Sequence, residues 1–230
     1  MIVASALCPH PPLLLPGLSG GQDVAADLRK ECEAAVAALA ATEPDTLVVV
    51  GGHGASGRYT GDLSPVREFG GTGQRVPRER ALPLSLAVAR RLLDAVGYRG
   101  RVETAAVAWD ASDAELGALG RSIAGRPDRV ALLVLGEGSA RRAATGPGEL
   151  DERAFGFDER IHRCLAGGDR EGLARLDPAL AADLMVSGRA ALGVLAHALA
   201  DTVPVDPRVL YADDPFGVMY FVAVWPCVSC

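Results

Sequence analysis

The sequence predicts a single α/β domain spanning residues 1–230, with a mostly parallel central sheet and helices on both faces. Two observations predict it. As far as Leu135, short apolar runs rich in β-branched residues alternate with Ala/Leu/Arg-rich stretches of helical periodicity. The resulting order β-α-β-α-β-α-β also needs crossover connections, which leave consecutive strands parallel and cover both faces with helices. No repeat or low-complexity linker divides the chain, and its 230 residues are within the range of one domain.

Taken in order, Ile2–Leu7 reads as the first strand and not as a secretion signal, since no basic segment leads it and it runs straight into Pro9–Pro12. Over Gln22–Ala41, Val24, Leu28, Cys32, Ala35 and Leu39 recur at helical spacing. Asp45 then leads into the strand Thr46–Val50. The spacing predicts a helix over Leu84–Val96, a strand over Val102–Trp109, a helix over Asp113–Ala124 and a strand over Arg129–Leu135. The second half is more helical, with Asp151–Leu165, Arg170–Leu176 and Pro178–Asp201, and closes on strands at Val209–Ala212 and Gly217–Trp225. Two glycine-bearing segments after strands, Gly51–Pro83 and Ser139–Leu150, lack periodicity; a long structureless stretch in a compact domain is usually a functional loop.

Bulk composition excludes several classes. The net charge is −6 with no basic stripe, which argues against nucleic acid or an anionic membrane as partner. No apolar run approaches the roughly 18 residues of a membrane span. Five scattered cysteines form no disulfide framework and fit a reducing cytoplasm. Cys227 and Cys230 spell a CxxC, but without the strand–helix setting of a redox motif or a second pair for zinc.

Parallel sheets bind ligands outside the carboxyl ends of their strands. The first strand delivers Cys8-Pro9-His10-Pro11-Pro12 there, the second Gly51-Gly52-His53-Gly54, the third Trp109-Asp110-Ala111-Ser112-Asp113 and the fourth Gly136-Glu137-Gly138-Ser139. The strand ending near Ala212 delivers Asp213-Asp214. Two of the four histidines are thus expected together beside one edge of the sheet; His162 and His197 lie within helical stretches and read as ordinary helix residues. Two imidazoles and a carboxylate with open positions form the ligand set typical of non-haem Fe(II). Asp113 reads as a helix N-cap, and Asp213-Asp214-Pro215 equally as a turn.

At these residues the chain resembles the class III extradiol dioxygenase superfamily, which includes the LigB catalytic subunits, the DOPA dioxygenases and the Memo proteins. Cys8-Pro9-His10-Pro11-Pro12-Leu13-Leu14-Leu15-Pro16-Gly17 and Val48-Val49-Val50-Gly51-Gly52-His53-Gly54 carry the resemblance. It implies a LigB-like fold, His10 and His53 as metal ligands, Fe(II) as the metal with zinc the alternative, and a homodimer by analogy. The family takes its third ligand from the C-terminal part, where this chain has no glutamate beyond Glu171. Tyr211-Ala212-Asp213-Asp214-Pro215 is similar to the supplying segment, so Asp214 or Asp213 is the implied carboxylate, with Cys8 and Glu137 as outside candidates. The family's acid/base histidine is replaced: Gly136-Glu137-Gly138-Ser139-Ala140-Arg141-Arg142 is similar to its segment but carries arginine, which cannot serve as a base near neutral pH. Ala108-Trp109-Asp110-Ala111 likewise lacks a histidine of the corresponding motif.

The resemblance therefore implies an oxygenase acting on a catechol or related small aromatic or anionic substrate. Asp110 or Glu137 would stand in for the base, and Arg141 or Arg142 would hold an anionic group. The alternatives are a Memo-like metal- or anion-binding protein without ring cleavage, and a zinc hydrolase on the same fold.

Overall fold

Alternation decides which face each strand residue serves. In the strand β2 (Thr46–His53), Val48 and Val50 enter one core while Leu47 and Val49 enter the other. β4 (Val130–Leu135) divides its six residues in the same way, and every one of them is buried. A strand buried on both faces reads as a continuous apolar run, as these two do.

The computed structural model describes residues 1–229 except 17, 19–22, 60, 62–63, 65, 72–75 and 78–79. Its sheet has seven strands: β1 (Ile2–Cys8), β2, β3 (Val102–Ala108), β4, β5 (Thr202–Pro204), β6 (Arg208–Asp213) and β7 (Tyr220–Ser229). The order is β3-β2-β4-β1-β7-β5, with β6 also paired to β7. The first four strands are mutually parallel, and β7 runs antiparallel to β1, β5 and β6. This is the expected mostly parallel α/β architecture, closed on one side by an antiparallel extension.

The helices α1 (Ala26–Ala40) and α2 (Leu84–Ala95) cover one face. The other carries α3 (Asp113–Ala124), α4 (Arg153–Gly167), α5 (Arg170–Ala174), α6 (Pro178–Asp183) and α7 (Arg189–Ala198). Among the described residues no helix is long and apolar enough to cross a membrane. At the amino ends of the strands Arg126 binds Glu103 and Asp128, and Asp128 also accepts from the Thr46 hydroxyl. The Arg126 guanidinium first, then the Thr46 hydroxyl, hold the Asp128 carboxyl well below the usual carboxylate range.

Three expectations are corrected. β2 does not stop at Val50 but continues through two glycines to His53, because β3 pairs with it residue by residue up to Ala108. The helix expected over Pro178–Asp201 is two helices. α6 ends in a reversal at Met185, whose φ of 55° is left-handed, and Gly188 then starts α7. The cap of α3 is Ser112, one residue before Asp113: its hydroxyl accepts from the Glu115 amide while Glu115 bonds the Ser112 amide. Also unforeseen was β5, a three-residue strand containing proline.

Glycines at the carboxyl ends permit crowding there. A Cβ at Gly136 would lie 2.6 Å from the Gly188 Cα, and one at Gly188 would lie 2.6 Å from the Glu137 carbonyl oxygen. On the open face of α4, by contrast, a Cβ at Gly156 would meet nothing within 4 Å. Gly136→Ala is therefore expected to destabilise by about 2 kcal/mol, since backbone must shift. Gly156→Ala should stabilise by about 0.5–1 kcal/mol through helix propensity. Chemical denaturation of the two variants checks both signs.

Candidate functional site at the strand ends

His10 follows β1 and His53 ends β2, and in the sheet order only β4 separates these two strands. The ladder fixes what stands around them. The Gly136 amide donates to the Cys8 carbonyl at 3.0 Å, holding the Glu137 segment beside the Pro9–Pro11 turn. The Trp109 amide donates to the His53 carbonyl at 3.1 Å, setting the indole next to the imidazole. Pro12 then opens a short 3-10 turn, Pro12–Leu14, that carries the chain away from His10.

His10 and His53 line one cavity of about 960 Å³. Tyr59, Phe69 and Trp109 add aromatic surface to its wall, and Glu68 is the carboxylate among the described residues that line it. Tyr59 meets the His53 ring edge-on at 5.5 Å and Trp109 meets it at 6.3 Å. A Cβ at Gly52 would fall 2.9 Å from the Trp109 Nε1, so this glycine makes room for the indole. The Ser85 hydroxyl donates to the Gly52 carbonyl at 2.9 Å and stiffens the end of β2 from the α2 side.

His10 is buried, and among the described residues its Nδ1 has no hydrogen-bond partner. The Glu137 Oε1 lies 4.0 Å from that nitrogen, too far for a hydrogen bond. The same oxygen accepts from the His10 amide at 3.1 Å, and Oε2 accepts from the Ser187 hydroxyl at 3.4 Å. Two imidazoles and a carboxylate thus come from the ends of β1, β2 and β4, three adjacent strands. That donor set suits Fe(II) or zinc in kind, and the unpartnered His10 nitrogen is the polar atom a metal or ligand would satisfy. Among the described residues no three His, Cys, Asp or Glu side chains already stand as a closed metal-holding group.

The other residues singled out in the sequence stand elsewhere. Asp214 does not line this cavity: its Oδ2 accepts from Arg142 Nε at 2.6 Å. Asp213 ends β6, is exposed and accepts from the Asp214 amide. Arg142 also faces Asp158 at 3.6 Å and lies over the Phe155 ring at 4.4 Å, so its charge is used inside the fold. Arg141 is half-buried, with a partnerless Nε, and does not line the cavity either. Asp110 is exposed and lines not this cavity but a second one that Trp109 also lines. Cys8 is fully buried in the core under α1, its thiol 3.9 Å from the Cys32 carbonyl. Cys227 lies within β7 and burial pushes its thiol up to about 11; Cys230 is outside the described residues.

Three residues near the site gave no signal in the sequence. Ser187 reaches Glu137 only because the chain breaks between α6 and α7. Burial, and next the Glu137 charge, hold the Tyr220 phenol well above the usual tyrosine range, so it stays protonated. Asp158, inside α4, is 1% exposed; its Oδ1 accepts from the Ser139 amide at 2.9 Å, and its Oδ2 has no hydrogen-bond partner among the described residues. Desolvation, opposed by the Ser139 amide and Arg142 and reinforced by Asp214, raises its carboxyl to about 6. Nothing in the helical spacing of Asp151–Leu165 marks it as buried.

Fold and site define an α/β protein with its polar chemistry gathered at the carboxyl ends of parallel strands. Among solved structures the chain is similar to an uncharacterized protein, JW3007, from Escherichia coli K12: the TM-score is 0.52 at 13% identity, over 97% of this chain and 99% of that one. At that identity the likeness shows the shared fold. No protein-family model matches the chain, and no curated protein matches it in sequence.

The Asp158 carboxyl sets a testable pH dependence. Its folded value of about 6 exceeds that of an unfolded aspartate, so the native state keeps a proton that the unfolded chain gives up. The associated stability is full below the unfolded value, about pH 4, and is lost as pH rises through the folded one. Asp158→Asn keeps an acceptor for the Ser139 amide, so it is expected to match wild type near pH 4 and to exceed it by about 2 kcal/mol near pH 8. Denaturation midpoints across that range check the sign.

Proposed function

We propose that the protein is a metal-dependent enzyme of the extradiol-dioxygenase-like kind, holding non-haem Fe(II) on His10, His53 and Glu137 and acting on a small aromatic substrate. The observation that carries the reading is the buried, unpartnered His10 Nδ1, beside Glu137 and on the wall of the cavity that His53 also lines. The resemblance of the two histidine motifs supports it, and the fold shared with the E. coli protein is compatible with it.

Glu137 replaces Asp214 as the preferred carboxylate, since Asp214 is bound to Arg142 and Glu137 follows the strand between the two histidines. When bound, Fe(II) supplies the redox chemistry of ring opening. The chain's own part is to bind and orient. Tyr59, Phe69 and Trp109 provide flat apolar surface for an aromatic ring. With no histidine besides His10 and His53 on the wall, Glu68 is the carboxylate placed to take a proton from a substrate hydroxyl. Arg141 and Arg142 have no part in substrate binding on this reading, because neither lines the cavity.

Anaerobic purification followed by metal analysis tests the ligand set. Near-stoichiometric iron is expected in the wild type and in Asp214→Asn, with loss in His10→Ala, His53→Ala and Glu137→Gln. Retention in Glu137→Gln with loss in Asp214→Asn would return the role to Asp214. Stoichiometric zinc would redirect the reading to hydrolysis, where the metal lowers the pKa of a bound water. No metal after Fe(II) reconstitution would end the oxygenase reading.

A further inference from the structure

Trp109 also lines a second cavity, of about 540 Å³, which neither His10 nor His53 lines. That is within the range of roughly 300–1,000 Å³ typical of small-molecule sites. Its wall is mostly apolar, built from Pro178, Ala179, Ala182, Met185 and Val186 around the indole. Two charged side chains reach it, Arg189 and Asp110.

Neither charge has an ionic partner among the described residues. Arg189 uses Nη2 on two backbone carbonyls, Ala111 at 2.7 Å and Trp109 at 3.5 Å, and its other donors meet no acceptor among those residues. Burial pushes the guanidinium down from arginine's usual value, against the opposing charges of Asp113 and Asp110. A partly desolvated cation without a counter-ion is a costly arrangement that a bound anion relieves. Asp110 accepts no hydrogen bond from any described residue and lies within electrostatic reach of Arg189 without pairing with it.

The apolar side of the cavity is also unusual. Trp109 and Met185 are 54% and 45% exposed, two of the larger apolar side chains left open to solvent. Met185 holds φ at 55°, at a helix terminus where glycine is the common choice. Keeping a long side chain there costs about 1 kcal/mol of backbone strain.

We propose that this cavity binds a free α-amino acid with an apolar side chain: its carboxylate on Arg189, its ammonium on Asp110, and its side chain against Met185, Val186 and the Trp109 indole. A simple carboxylate would leave Asp110 facing a like charge, and a simple amine would leave Arg189 unpaired. A zwitterion satisfies both groups at once. His10, His53 and Glu137 do not line this cavity, whose Trp109 wall it shares with the first, and the binding proposed for it needs no metal.

Calorimetry on the full chain tests it with L-leucine, 3-methylbutylamine and 4-methylpentanoate, which share the isobutyl side chain and differ in charge. L-leucine is expected to bind saturably, and each singly charged analogue to bind about tenfold weaker or worse, the loss of one charge-assisted contact. Because Arg189 also tethers the loop after β3, Arg189→Ala can fail to fold; Asp110→Asn and Ala182→Trp, both at exposed positions, avoid that. Asp110→Asn should reduce L-leucine binding to the level of 4-methylpentanoate, and Ala182→Trp should abolish it by filling the cavity. Absence of saturable L-leucine binding at millimolar concentration, or binding indifferent to Asp110→Asn and Ala182→Trp, would overturn the proposal.

Discussion

The close passage of Gly136 past Gly188 governs the carboxyl end of the sheet. With no side chain on either residue, the start of α7 lies directly against the end of β4, and the Gly188 amide donates to the Glu137 carbonyl at 2.9 Å. That contact sets three side chains at once. Glu137 is turned toward the His10 amide, Ser187 is carried to the other oxygen of the same carboxylate, and Arg189 is brought under the loop that follows β3. Remove the approach and the strand end, the helix start and the β3 loop lose their common reference.

The arginines near this end have different tasks. Arg142 is enclosed by Asp214, Asp158 and the Phe155 ring, and ties the loop after β4 to α4 and to the end of β6. Its charge is balanced within the fold. Arg189 has only carbonyl partners among the described residues, and its charge is not. A guanidinium's value for recognition depends on how many of its donors remain free, which here favours the arginine that the chain's motifs did not single out.

Much of the fold was legible because its signal is local. β4 is six buried apolar residues in a row, and the helices from α1 to α3 carry regular apolar spacing. The misses occur where distant contacts override local pattern. Periodicity ran on through Pro178–Asp201, but the crowding of Gly188 on Gly136 needs a break there. His10 and His53 were legible from their proline and glycine surroundings after strands. The place of Glu137 between the two histidines comes from sheet order, with β4 between β1 and β2, and sheet order is not written in any one segment. Asp158 was invisible for the same reason: nothing in the sequence of α4 announces that Gly138 and Ser139 will close over it.

Trp109 is a partition wall that both cavities share, and the chain's other tryptophan, Trp225, is sealed in the core with its Nε1 bonded to the Leu165 carbonyl. The two indoles therefore form a built-in optical pair. Emission that a water-soluble quencher reaches belongs to the partition, while the protected component reports only whether the core is intact. Any event in either space that shifts the wall is readable from native fluorescence, without a label and without presupposing what the ligand is.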